Sequence, residues 1–220
     1  MARPVVASRA EWLAAREELL AEEKAVTGAM DALAARRRAL PMVPVSKDYV
    51  FEGPDGRVRL AELFAGRRQL IVYHLMWEWD RDEGCPGCAA VLDSIGGLAR
   101  LPGHDTAFAA ISRGPWERLA GYHARHGWSF PTVSSFGTDF NYDFHASLDA
   151  DIAPVRYNYR SAREHALAGR PPADEQPGLS VFWRDDDDAL FHTYSAYARG
   201  IDPLNGAQAL LDLTPLGRPR

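Results

Sequence analysis

The sequence predicts an α/β domain, a mixed sheet flanked by helices, with a helical N-terminal arm. Three observations predict it. Two continuous apolar runs, QLIVYHLM (69–76) and DTAFAAIS (105–112), have the unalternating, β-branched character of strands covered on both faces. Each is followed by a segment that reads as a helix, which gives a strand–helix–strand–helix order. GLSVFWRDDDDALFHTYSAYA (178–198) reads as a hairpin turning at four aspartates, so antiparallel strands join the parallel ones.

The arm comes first. Residues 8–40 read as a helix, opened by a Ser8–Glu11 capping box and stopped by Pro41. Trp12, Leu19, Val26, Leu33 and Leu40 recur every seven residues near one face, while Thr27-Gly28 weakens the middle. An apolar stripe on a charged helix must be covered, either by its own body or by a neighbouring subunit. A helix of roughly 45 Å, at 1.5 Å per residue, exceeds the width of one compact domain. The expectation is therefore a homodimer formed through an arm of residues 1–45, followed by a domain of residues 46–220.

In that domain YVFEGPDGRVRL (49–60) suggests a short hairpin around Gly-Pro-Asp-Gly. The first buried run leads into a helix with Cys88, Val91, Leu92, Ile95 and Leu98 at helical spacing. Residues 115–126 form a second helix, with proline in its first turn. FPTVSSF (130–136) is a short strand or loop. Residues 150–178, rich in Pro, Gly, Arg and Asp, read as an irregular insertion over one edge. PLNGAQALLDL (203–213) closes the chain as a helix.

Composition excludes several classes. The chain has 220 residues, a formal charge of −5 and a pI near 5.8, which argues against a nucleic-acid partner. No apolar run approaches the roughly 18 residues of a membrane span, and the N-terminus reads as carrying no signal peptide. Two cysteines do not make a secreted disulfide framework, so a reducing cytoplasm is expected. No Gly-x-Gly-x-x-Gly, Walker loop or Gly-x-Ser-x-Gly motif supports nucleotide cofactors or serine-hydrolase chemistry.

Those two cysteines, Cys85 and Cys88, stand in DEGCPGCAAV. Three readings are open: a dithiol that cycles through a disulfide, part of a metal site, or two small core residues. The leading reading is the dithiol. A Cys-x-x-Cys that leaves a buried strand and opens a helix has unpaired N–H groups favouring a thiolate at Cys85, the nucleophile. Cys88, one turn later, is placed to resolve the mixed disulfide. Asp80, Asp82 and Glu83 would oppose an acidic thiol; Arg113, ending the second buried strand at the same sheet edge, would offset them. Trp77 belongs to an aromatic group, with Tyr73, Trp79, Phe140, Tyr142, Tyr157 and Tyr159, from which a pocket for an apolar disulfide could be lined. The alternative is copper or zinc held by Cys85 and Cys88 with His74 or His192. Asp139, Asn141 and Asp143 begin like a calcium loop, but Phe144 and Ala150 stand where glycine and glutamate are needed.

The stretches EWLAAREELLAEEKAVT, YVFEGPDG, QLIVYHLMW, DEGCPGC, AFAAISRGP, GWSFPTVSSFGTDFNYDF, GLSVF and FHTYSAYARG resemble the bacterial domain-of-unknown-function 899 family over nearly the whole chain. The resemblance implies a thioredoxin-like fold and a redox activity without a named substrate. It also implies that Pro177 takes the place of the cis-proline that flanks a thioredoxin dithiol. The motif departs from thioredoxin in being Cys-Pro-Gly-Cys. The peroxiredoxin Pro-x-x-x-Thr-x-x-Cys run is missing, since WEWDRDEGC has neither proline nor threonine. The expected activity is thiol–disulfide exchange with a disulfide or oxidised-sulfur substrate, a cellular thiol reductant and no cofactor.

Overall fold

The computed structural model describes residues 5–169 and 171–217. They divide into two compact units, one made of residues 5–41 and 210–217, the other of Met42–Ala209.

In the first unit, α1 (Arg9–Arg38) starts at the expected box: Glu11 N–H donates to Ser8 Oγ, and Ser8 N–H donates back to the Glu11 carboxylate at 2.8 Å. Arg36, Arg37 and Arg38 complement the negative end of the helix dipole. No residue of α1 is buried, and Trp12, Leu19, Val26, Leu33 and Leu40 are all exposed.

The second unit is built on an eight-stranded sheet. Its strands are β1 (Val43–Pro44), β2 (Val50–Gly53), β3 (Gly56–Arg59), β4 (Gln69–Leu75), β7 (Thr106–Ser112), β8 (Thr132–Ser134), β11 (Gly178–Arg184) and β12 (Leu190–Tyr197). The order across it is β1-β12-β11-β4-β7-β8-β2-β3. β4, β7 and β8 run parallel and the remaining pairs are antiparallel. Two short ladders stand apart: β5 (Trp77–Glu78) with β6 (Glu83–Gly84), and β9 (Arg156–Tyr157) with β10 (Arg160–Ser161). The helices are α2 (Pro86–Ser94), α3 (Trp116–His126), α4 (Phe140–Asp143), α5 (Ala162–Leu167) and α6 (Gly206–Leu211). A β–α–β unit (β4, α2, β7) beside an antiparallel hairpin (β11, β12), with β4 central, is the thioredoxin-like arrangement.

β4 shows why its sequence runs apolar without alternation. Tyr73 and Leu75 face one core with α2 and α3, through Cys88, Leu92, Leu119 and Tyr122. Leu70 and Val72 face a second core with Phe51, Phe64, Phe140 and Phe182. Both faces are covered, as a central parallel strand requires. The aspartate turn forms as expected, with Asp185 Oδ1 accepting from Asp187 and Ala189 N–H. Residues 150–178, expected to be irregular, contain α5 and the β9–β10 ladder. Ser161 and Glu164 form a second capping box that starts α5. The closing helix is shorter than expected. Among the described residues, no helix is long and apolar enough to cross a membrane.

Candidate functional site: a dithiol at a helix start

Cys85 is the N-cap of α2, extended at φ −62° and ψ 124°, and Pro86 occupies the first turn. Proline is tolerated there because its missing N–H would have no helical partner. The cysteine is tied to the sheet: Cys85 N–H donates to Met76 O at 3.0 Å, just past β4, and Ala89 N–H closes the first turn on Cys85 O. A Cβ added at Gly87 would lie 3.6 Å from Cys85 Sγ, so glycine keeps that side of the sulfur open. Cys85 is half-buried, Cys88 is buried at 3% exposure, and both thiols are free.

The two thiols are driven apart. Cys85 is lowered from 9.0 to about 6, first by the hydrogen bond from the Cys88 thiol, then by the Cys88 and Gly87 N–H groups. Burial and the neighbouring Glu78 carboxyl oppose that shift. Cys88 is pushed well up, by its hydrogen bond to Cys85 and by burial. Of the acidic residues upstream, arginines hold Asp82 and Glu83, and Glu78 with them. Asp82 pairs with Arg118 at 3.0 Å, Glu78 with Arg81 at 3.1 Å, and Glu83 with Arg81 and Arg125.

A cavity of about 330 Å³ opens on both sulfurs, lined among others by Tyr73, Met76, Pro177 and Ile201. Pro177, directly before β11, lines the same cavity as the two cysteines, but its peptide bond is not the cis one that the resemblance implied. No peptide bond among the described residues is cis. The glycine after it has a local cause: a Cβ at Gly178 would meet the Tyr197 ring at 2.8 Å. Trp77 is 1% exposed and packs in the same core as both cysteines, edge-on to Tyr122. Its ring lies against Gly114, where a Cβ would approach it to 2.2 Å. It supports the site and does not line the cavity.

Arg113 is placed elsewhere. Its Nη1 donates to Glu175 at 2.8 Å, and its guanidinium lies over Trp79 and Tyr142, at a separate cavity. Of the aromatic group read from the sequence, Tyr73 is the member that lines the dithiol cavity. Its hydroxyl is fully buried without a hydrogen-bond partner, and burial first, then the nearby Cys88, pushes its ionisation up.

The metal alternative, Cys85 and Cys88 with His74 or His192, is not assembled among the described residues. His74 and His192 belong to the opposite sheet face, where His74 lies against Phe140 and His192 against Phe144 and Phe182. A chain of 2.8 Å contacts runs from His74 Nε2 to Ser180 Oγ, on to Ser195 Oγ and to His192 Nε2. The sheet separates these imidazoles from the cysteines, and among the described residues no group of three His, Cys, Asp or Glu could hold a metal ion. Asp139 and Asp143 of the failed calcium pattern both take the Lys47 ammonium, at 3.1 and 2.6 Å.

The model of a family described as a bacterial protein of unknown function, DUF899, matches residues 1–220. The chain belongs to that family. No curated protein matches it. Among solved structures, this DUF899 chain is similar to a peroxiredoxin Q mutant of Xylella fastidiosa at 12% identity, over 78% of this chain and 95% of that one, with a TM-score of 0.48. It is similar to a Xanthomonas campestris peroxiredoxin Q mutant at 15% identity, 78% and 98% coverage and a TM-score of 0.45. A secreted Mycobacterium tuberculosis disulfide oxidoreductase is similar at 14% identity, 74% and 96% coverage and a TM-score of 0.39.

Proposed function

We propose that this chain is a cytoplasmic thiol–disulfide oxidoreductase in which Cys85 is the nucleophile and Cys88 the resolving thiol. The observation that carries the reading is the division of labour between the sulfurs: one accessible and acidic at a helix start, its partner buried and held protonated. The Cys85 thiolate attacks one sulfur of a substrate disulfide, forms a mixed disulfide and expels the other half as a thiolate. The Cys88 thiol then gives up its proton and attacks Cys85 Sγ. That step closes the Cys85–Cys88 disulfide and releases the second half of the substrate, now fully reduced by two electrons. A cellular thiol reductant returns the dithiol by the reverse exchange.

The cavity is mostly apolar, through Tyr73, Met76, Val91 and Ile201, which favours a substrate with an apolar group beside its sulfur. Thiol counting before and after a mild disulfide oxidant tests the reading. Loss of both thiols without a covalent dimer, reversed by a dithiol reductant, is expected. Retention of both thiols would refute it.

A further inference from the structure

A second cavity, of about 500 Å³, lies at the carboxyl end of β7 and contains neither cysteine. Its floor is Glu175, 6% exposed, held in a single bridge to Ser147 and clamped by Leu148 N–H to Asp174 O at 2.7 Å and Gln176 N–H to Ala146 O at 2.8 Å. Oε1 of Glu175 accepts from Arg113 Nη1 at 2.8 Å and from Ser147 Oγ at 2.9 Å. Its Oε2 is buried and has no hydrogen-bond partner. A buried carboxylate oxygen left without a donor is costly, and a native site that tolerates one is a candidate for a ligand.

The charge around it is net negative. The Asp149 and Asp174 carboxylates join Glu175 on the lining against the single guanidinium of Arg113. That guanidinium is already committed to Glu175 and to the faces of Tyr142, at 4.7 Å, and Trp79, at 5.4 Å. Val155, Pro171 and Pro172 add an apolar part to the lining. Trp79 lies beside the Glu175 carboxyl and is 43% exposed.

We propose that this cavity binds a small organic ammonium, its N–H donating to Glu175 Oε2 beneath the Trp79 ring and its apolar body resting on the prolines. Asp149 and Asp174 supply the remaining countercharge at the rim. The unmatched acceptor calls for a donor, and the excess of carboxylates selects a positively charged one. The site is independent of the dithiol reading, since no sulfur lines it.

The test is titration of the Cys85→Ser/Cys88→Ser double variant with benzylammonium, benzoate and benzyl alcohol, followed by calorimetry and tryptophan fluorescence. Benzylammonium is expected to bind one to one with a fluorescence change that Trp79→Ala abolishes. Benzoate and benzyl alcohol are expected to bind about tenfold more weakly or worse, and Glu175→Gln to lose about tenfold in affinity. Should E175Q fail to fold because Arg113 is left unpaired, Asp174→Asn, at the exposed rim, is expected to weaken binding about threefold. Absence of benzylammonium binding at millimolar concentration, benzoate binding equally tightly, or unchanged affinity in D174N would each overturn the proposal.

Discussion

Replacing Cys88 with alanine removes the largest single cause of the low Cys85 pKa while leaving the Cys88 and Gly87 N–H groups in place. The magnitude follows from the titration. A thiol at about 6 is roughly 90% thiolate at pH 7, whereas one at an ordinary value of about 8.5 is roughly 3%. Each thiolate also becomes more nucleophilic as its pKa rises, so a full reversion would slow alkylation at pH 7 only about threefold. The rate at one pH is therefore a poor reporter, and the pH midpoint is the sound one. Because the backbone donors remain, the midpoint in Cys88→Ala should move up by roughly one to two pH units. Cys88→Ser, which keeps an O–H donor, should shift by less. The assay is the rate of iodoacetamide alkylation, or thiolate absorbance near 240 nm, across pH 4–10. Equal midpoints in the alanine and serine variants would refute the thiol-to-thiolate hydrogen bond. A wild-type midpoint above about 8 would refute the acidic thiol itself.

Four further outcomes are expected. His74, fully buried and lowered from 6.5 to about 3 by burial, then by His192, is neutral when folded but protonates when unfolded. The stability it contributes is fully present above pH 6.5 and falls as the pH drops towards 3, by at most roughly 4–5 kcal/mol. Urea denaturation at pH 7.5, 6 and 5 should show this slope, and in His74→Gln it should flatten. Arg113→Met leaves Glu175 charged and buried at 6% exposure, which should cost about 3 kcal/mol and steepen stability loss towards high pH; an unchanged urea midpoint would count against the buried pair. Gly114→Ala drives a Cβ to within 2.2 Å of the Trp77 ring and should cost about 1–3 kcal/mol by thermal melting. Tyr73→Phe removes a buried hydroxyl that has no partner, so the melting temperature should hold or rise. Closure of the Cys85–Cys88 disulfide, read by quenched-flow alkylation, should slow several-fold if that hydroxyl steadies the developing Cys88 thiolate.

Much of this molecule was legible where local rules and tertiary structure agree. The Ser8–Glu11 box, the two buried runs and the Asp185–Asp188 turn each announce an element through short-range chemistry, and each formed. Cys85 at the start of α2 was legible for the same reason. What was not legible depends on pairings far apart in sequence. Asp82 and Glu83 read as a burden on the thiol until Arg118 and Arg125 arrive from α3. Arg113 read as a helper of Cys85, but Glu175, 62 residues later, captures it. His74 offered no hint of which face it takes, because a strand covered on both sides lacks the alternation that would reveal it. The capping box at Ser161 and Glu164 was legible in principle, inside a segment whose prolines and glycines masked it.

The central claim, that Cys85 attacks and Cys88 resolves, is tested most directly by intact-mass measurement after exposure to glutathione disulfide. Wild-type protein is expected to lose two hydrogens and gain no adduct, as the Cys85–Cys88 disulfide closes. Cys88→Ser is expected to retain one glutathione on Cys85, and Cys85→Ser to stay unmodified because the remaining thiol is buried and protonated. Equal glutathione adducts on both single variants, or on neither, would contradict the account.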